Sequence, residues 1–480
     1  MSRSYLSNDI FKIHFLLAFA TTTKSFLVYL CESCMQPINS FVKRIWNLSW
    51  PIILGQVSYV LMGIADNIMV GKISSAAVAA VGFSNTIFFT VSIIGIGILS
   101  IIPPLISKSK AENEDKKCGD LLNNAILIAC WMGAIFMVVS YVLASHFSWF
   151  KQDPAVAAIG VEFLKVIGYS AIPLFIFLAA KQFTDGLGFT KESMYIALGA
   201  VLLNIVLNYI FIYGNFGAPA LGALGAAWAT FISRVAMAVG MLWFILKSKK
   251  TKKYRSLSFT KNNTLYHKEI LKDGIPSGLQ YFFEVGAFAV ANLFMGWMGK
   301  DVSAAYQIVI SPAALSYLFV SGFGIGASIL VSESIGEHNK INAYRFGLNA
   351  LKMTFVFELF TCAIFIIFHQ AIPEAYLSDE NVLRHAIPLM FIVGLFQIPD
   401  GIQCVCLGVL RGMYDIKIPT LFTLIAYWGV ALPLGYFLAF SQGYGAPGVW
   451  WGLSIGLLSS AVLLTLRFFY IAKPSNLYQK

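Results

Sequence analysis

The sequence predicts an all-α integral membrane protein: twelve transmembrane helices in two parallel-repeat, six-helix lobes related by a pseudo-two-fold axis along the membrane normal. Three observations predict it. Of 480 residues, 58% are hydrophobic and only 12% charged, about half the charge of a soluble domain. The apolar residues fall into twelve runs, each about the 20 residues that a membrane crossing requires. The second half of the chain also repeats the first.

The composition excludes a soluble fold. Forty Phe and ten Trp are more than one water-soluble core of this size can hide, so lipid is the solvent for many of them. The net charge of +11 is no nucleic-acid signal, because the bases lie between apolar runs rather than on one soluble face. The seven Cys form no disulfide framework. Cys31 and Cys34 make a CxxC, but no second pair accompanies it, and spacing alone does not make a metal site.

The first 42 residues are too polar and too interrupted, by Lys24 and a run of threonines, for a span or a signal peptide. An interfacial or loosely ordered leader is expected there. The twelve runs that follow are approximately 46–71, 79–106, 121–145, 157–180, 193–214, 221–246, 270–298, 303–331, 346–369, 385–409, 418–440 and 448–472. The expected organisation is therefore an N-lobe over 43–246, a basic linker over 247–268, a C-lobe over 269–473 and a tail over 474–480. No room remains for a soluble domain.

Basic residues in short loops report orientation. The linker 247–268 carries seven Lys, one Arg and no acid. Loops 107–120, 181–192, 332–345 and 410–417 fall on the same side and carry bases, whereas 214–220 and 441–447 have none. Both termini are expected in the cytoplasm, with the protein in the plasma (inner) membrane.

The repeat is a series of short matches at nearly constant spacing. Pro51 pairs with Pro276, Asn67–Gly71 with Asn292–Gly296, and Pro173 with Pro399; "SAA", "GIG" and "GAP" also recur, all at offsets of 225 to 229. Each half holds six spans and so keeps one orientation, which is a parallel repeat. Two such lobes can enclose a cavity and open alternately to either side, an architecture that points to a transporter.

Three acids interrupt the apolar runs: Asp66 in span 1, Glu284 in span 7 and Asp400 in span 10. A charge at mid-bilayer costs about 2.5–3.5 kcal/mol on the lenient insertion scale, so such residues face a wet interior and mark function. By offset they fall on Ala291, Tyr59 and Leu174 of the other half, so the scaffold itself does not require them. No Lys or Arg lies in the apolar parts of these spans to pair with them. An unpaired buried carboxylate takes up a proton or binds a cation, and either behaviour supplies ion coupling.

Weaker polar insertions surround them. Asn204 and Asn208 share a face of span 5 at i, i+4 and are candidates to line the cavity near Asp66, with interhelical hydrogen bonding an equal account. Asp185 reads as a loop residue at the end of span 4, a share in the Asp66 site being the alternative. Glu358 falls inside span 9, though an interfacial position accounts for it as well. Tyr281, Phe283 and Gln307 are further cavity candidates, the aromatics for stacking on flat cations. Pro51, Pro276 and Pro399 sit in the acid-bearing helices and are candidate kinks.

The stretches "SWPIILGQVSYVLMGIADNIMVG", "AAVGFSN", "GIPSGLQYFFEVGAF" and "PDGIQCVCLGVLRGMYD" resemble the multidrug and toxic compound extrusion (MATE) family, its bacterial NorM-type branch above all. The resemblance covers about residues 43–472 and departs only in the longer leader. It implies a two-lobe antiporter that exports organic cations and other drugs in exchange for Na⁺ or H⁺, with no cofactor. Asp66 then falls on an N-lobe cation site, and Glu284 and Asp400 on the C-lobe one; the presence of all three favours Na⁺. A monomer in the bilayer with small cationic or amphipathic substrates is expected.

Rival readings have less behind them. A flippase for lipid-linked precursors on a related scaffold would need cavity bases for pyrophosphate, where these spans show acids. An enzyme lacks a seat: His14, His146, His267, His338, His369 and His385 lie in the leader, in loops or at span ends. A channel does not need two lobes that rock.

Overall fold

The computed structural model describes residues 40–255 and 264–472. Most of the leader, with Cys31 and Cys34, and the tail 474–480 lie outside the described residues. Among the described residues there is no strand. Eleven helices are long and apolar enough to cross a membrane, and one bent pair makes a twelfth span.

The spans are Ser40–Gly71, Ser75–Ala111, Asp115–Ser145, the pair Pro154–Tyr169 and Ala171–Gly186, Thr190–Tyr213, Ala223–Lys247, Tyr266–Trp297, Lys300–Gly336, Lys340–Ile367, Glu380–Gly412, Lys417–Ser441 and Ala446–Ala472, numbered 1 to 12 here. Local sequence explains the ends. Ser74, Asp153, Asn339 and Asp379 cap helices by accepting from backbone N–H groups two or three residues on, which removes orphan donors. Gly214 ends span 5 at φ 74°, a left-handed conformation that favours glycine.

Span 4 bends by 41° at Ser170. Pro173 has no N–H for the Tyr169 carbonyl one turn back, and its ring crowds that turn. Span 11 widens into i→i+5 turns at Ile425–Ala431 and Phe437–Ser441, local bulges of the kind found at functional sites.

Spans 1–6 and 7–12 form two lobes with matching internal packing. Gly186 and Gly412 show the repeat in space. A Cβ on Gly186 would stand 2.7 Å from the Pro103 carbonyl of span 2, and one on Gly412 would stand 2.6 Å from the Ser328 carbonyl of span 8. Between lobes, span 2 packs on span 7 and span 1 on span 8, an exchange that a two-fold axis requires.

These inter-lobe contacts gather at the end bearing the basic loops. Ser100 and Ser277 share a hydrogen bond of 2.9 Å, Ser107 donates to the Ile329 carbonyl at 2.8 Å, and Ser332 donates to the Pro104 carbonyl at 2.6 Å. Gly97 and Gly278 bring the two backbones together. Small residues and hydroxyls are what close helix packing in lipid uses.

Candidate functional site

Among the described residues, each lobe holds a buried acidic site that makes no ion pair. The N-lobe site begins with Asp66, late in span 1 and only 3% exposed. Span 5 lies across it and presents Asn208, whose Nδ2 donates to Asp66 Oδ1 at 2.6 Å. Span 6 presents Thr230, whose hydroxyl donates to Oδ2 at 3.0 Å. Asn204, one turn before Asn208, accepts from it at 3.1 Å and donates to Thr230 at 3.3 Å.

The carboxylate therefore takes its hydrogen bonds from neutral groups, and among the described residues no Lys or Arg forms an ion pair with it. The Asn208 carbonyl oxygen is buried and has no hydrogen-bond partner among the described residues. Carboxylate, amide and hydroxyl oxygens make a hard donor set, suited to a small alkali cation. An unpartnered amide oxygen beside the carboxylate fits that use.

One cationic group does act at this site from outside the acid-bearing spans. Arg234, in span 6, lies close enough for its charge to act on Asp66 and Tyr59. It is fixed over the Phe88 ring at 4.8 Å and donates to Ser170 Oγ at the break in span 4. The expectation that no Lys or Arg lies in the apolar parts of the acid-bearing spans did not extend to span 6, which supplies this base.

Asp185 is corrected as well. It lies within a helix, fully buried, and forms an ion pair with Lys181 at 2.6 Å while accepting from Ser193 at 2.8 Å. It belongs to no loop, and none of its hydrogen bonds reaches the Asp66 cluster.

In the C-lobe, Glu284 is 7% exposed and Asp400 is 4% exposed. Glu284 lines a cavity of about 20 Å³ with Gln280, Tyr281, Tyr317, Cys404 and Arg411, about enough space for one water. Tyr317 shares the lining of this cavity with Glu284. Asp400 stands behind it, within electrostatic reach of Glu284 on one side and Glu358 on the other.

Arg411 was expected in a loop, but span 10 runs on to Gly412. Its guanidinium is buried, sits 5.4 Å from the centre of the Tyr281 ring and donates to Gln280 Oε1 at 3.3 Å. Glu358, for which an interfacial place was the alternative, is fully buried against Gly401.

Of the other candidates, Tyr281 joins Glu284 in the cavity and Phe283 does not line it. Phe283 instead offers its carbonyl to Trp428 Nε1 at 3.1 Å. Gln307 is exposed and donates to Asn292 at 3.3 Å. Pro51, Pro276 and Pro399 all lie inside unbroken helices. Among the described residues, no three His, Cys, Asp or Glu converge on one point as a metal cage.

The comparisons with known proteins agree with this fold. The MatE family profile matches residues 51–210 and 276–437. The chain is 28% identical to the multidrug resistance protein NorM of Photobacterium profundum, over 91% of this chain and 97% of that one. It is 30% identical to a protein of Bacillus anthracis named "Probable multidrug resistance protein NorM", over 92% and 98% of the two chains.

Among solved structures, the eukaryotic MATE transporter AtDTX14 superposes with a TM-score of 0.84 at 19% identity, covering 91% of this chain and 98% of its own. The Vibrio cholerae MATE transporter VcmN in its bent form superposes at 0.81 and 18% identity, covering 92% and 98%. The profile alone spans more than half of this sequence, so the chain belongs to the MatE family of membrane transporters.

Proposed function

We propose that the protein is a secondary antiporter that exports organic cations and other drugs in exchange for Na⁺ or H⁺ by alternating access of its two lobes. The observation that carries this is the setting of Asp66: a buried carboxylate held by an amide and a hydroxyl, with an unpartnered amide oxygen beside it. Burying a carboxylate without a counter-ion is costly, and a monovalent cation or a proton offsets that cost.

Glu284 and Asp400 repeat the chemistry in the C-lobe beside a cavity. A coupling ion that binds one arrangement of the lobes better than the other shifts their balance, and a drug that prefers the other arrangement reverses it. The relatives named for multidrug resistance support the substrate class. The basic loops support cytoplasmic termini in the inner membrane, and the lobes are then closed on the cytoplasmic side. A monomer suffices, since each lobe holds its own acids.

Arg234 and Arg411 put one base near each acidic site, which is the observation a flippase for lipid-linked precursors would use. They are single, and Arg411 is already engaged with Gln280, so neither lobe offers the cluster a pyrophosphate needs.

The test is ethidium efflux from cells without their own pumps, comparing wild type with Asp66→Asn, Glu284→Gln and Asp400→Asn. Each is driven by a Na⁺ pulse and, separately, by a proton gradient. Na⁺-triggered efflux that the substitutions abolish at normal expression supports the reading. Wild type that moves no cation under either gradient removes it.

A further inference from the structure

Span 4 carries a charged pair that ion coupling leaves unused. Lys165 lies about three turns into the helix Pro154–Tyr169 and pairs with Glu162 at 2.7 Å, the two side chains being 29% and 58% exposed. Exposed charges inside a span are costly and mark function by default. Helical side chains lean toward the start of their helix, and there Lys165 lines an open groove of about 710 Å³.

The groove lies between the end of span 3 and the first half of span 4, at the end of the molecule away from the basic loops. Its floor is fixed. Phe147, in the turn between the spans, is 2% exposed, and a Cβ on Gly160 would stand 2.6 Å from its ring. The turn closes on Lys151 at φ 49°, a left-handed conformation unfavourable for any residue with a Cβ. Lys151 and Lys165 are the charged residues that line the groove, beside the neutral polar Ser148 and Gln152. Asp153 does not line it, since its carboxylate caps span 4 by accepting from the Ala155 N–H.

The rim looks like a headgroup boundary. Tyr141 and Trp149 are exposed there, the ring types that sit at membrane–water interfaces. From Tyr141 an exposed stripe runs down span 3 through Val138 and Ile135, one helix face at i, i+3 spacing.

The scaffold does not ask for these charges. Asp153 and Asp379 cap spans 4 and 10 in the same way, which sets the offset between the lobes here at 226. At that offset Tyr141, Lys151, Glu162 and Lys165 fall on Ile367, Leu377, Pro388 and Phe391. The same positions are thus apolar in the C-lobe and polar only in the N-lobe.

We propose that this groove binds one anionic phospholipid from the leaflet away from the basic loops. The phosphodiester sits between Lys151 and Lys165, and an acyl chain follows Val138 and Ile135. Two ammonium groups against the Glu162 carboxylate leave one positive charge, which a phosphodiester balances. Lys165 gives one N–H to Glu162 and keeps two for the lipid. Phosphatidylglycerol suits this charge balance. The quaternary ammonium of phosphatidylcholine offsets its own phosphate and makes it the weaker ligand. None of this depends on what the protein transports.

The test is native mass spectrometry of the purified full-length protein in detergent, titrated with phosphatidylglycerol, phosphatidylcholine or glycerol phosphate. Wild type should bind one phosphatidylglycerol per chain more tightly than phosphatidylcholine. Lys151→Leu and Lys165→Phe, which copy the C-lobe, should each weaken it about fivefold, the effect of one base at a headgroup. Lys300→Ala removes a base at the same end of the C-lobe and should change nothing. Ala158→Trp fills the groove, keeps both lysines and should also lose the lipid, which covers a Lys165→Phe that fails to fold. Unchanged phosphatidylglycerol binding in Lys151→Leu and Ala158→Trp overturns the proposal, as does phosphatidylcholine binding equally well. Glycerol phosphate that displaces the lipid at equal concentration also overturns it, by making this a site for free phosphate.

Discussion

Asp66 and Asp185 are both buried aspartates of the N-lobe, and their partners give them different work. Asp185 has Lys181 one helical turn away at 2.6 Å, so its charge is already compensated. Asp66 has neutral donors, an orphaned amide oxygen and only the charge of Arg234 beyond ion-pair range, which leaves room for the exchangeable cation or proton proposed above. Lys181→Met should strand Asp185 and destabilise the protein by about 3–5 kcal/mol, read as a lowered melting temperature in detergent. Adding Asp185→Leu should recover most of the loss, with efflux retained. A double variant that melts like wild type but transports nothing would make Asp185 a coupling residue after all. At the Asp66 site, Asn208→Leu should abolish Na⁺-driven efflux while costing about 1–3 kcal/mol, the penalty for unsatisfied buried polar groups.

Spans 4 and 10 are equivalent helices with equivalent prolines, yet only span 4 breaks. The break exposes Ser170 Oγ to Arg234, and the same guanidinium acts on Asp66. Arg234 therefore ties the bent element to Asp66, the proposed ion site. A fixed positive charge near a cation site weakens cation binding, by about 1 kcal/mol when it stands well beyond ion-pair range in a partly wet interior. Arg234→Gln should lower the Na⁺ concentration for half-maximal efflux about fivefold, Arg234→Lys should hold it near wild type, and Ser170→Ala should leave it unmoved. An unchanged Na⁺ dependence in Arg234→Gln would show that Arg234 serves the break alone.

These elements also show what a single sequence discloses. Span number and the three acids were legible because lipid demands long apolar runs and penalises charges singly. Arg234 lies in an apolar run too, but its meaning depends on span 1, which is distant in sequence. Arg411 was hidden by a boundary drawn three residues short of Gly412. Glu358 looked equivocal because its burial is set by Gly401 on another helix. Thr230 gave no signal at all, since a threonine in a span is common and only the fold brings it to Asp66.

At the scale of the whole molecule, alternating access requires that the contacts closing one end be breakable. The seam combines serine hydroxyls and glycines such as Gly97 and Gly278 with a few larger contacts, among them the Arg44–Glu333 ion pair and the Tyr414 hydroxyl on the Pro104 carbonyl. Neutral hydrogen bonds of this kind contribute about 0.5–1.5 kcal/mol each, within what a coupling ion's differential affinity can supply. Ser100 and Ser277 face each other across it with their oxygens 2.9 Å apart, close enough for the side-chain geometry of a disulfide. With the seven native cysteines replaced, the paired substitutions Ser100→Cys and Ser277→Cys should crosslink under mild oxidation. Efflux should stop when the bond forms and return on adding reductant, while either substitution alone should leave efflux insensitive to oxidant. Drug and Na⁺ binding measured on the locked protein separate the steps: the side left open should still exchange its ligand. If the crosslinked protein exports at the wild-type rate, this seam stays closed through the cycle, and access alternates within the lobes instead of between them.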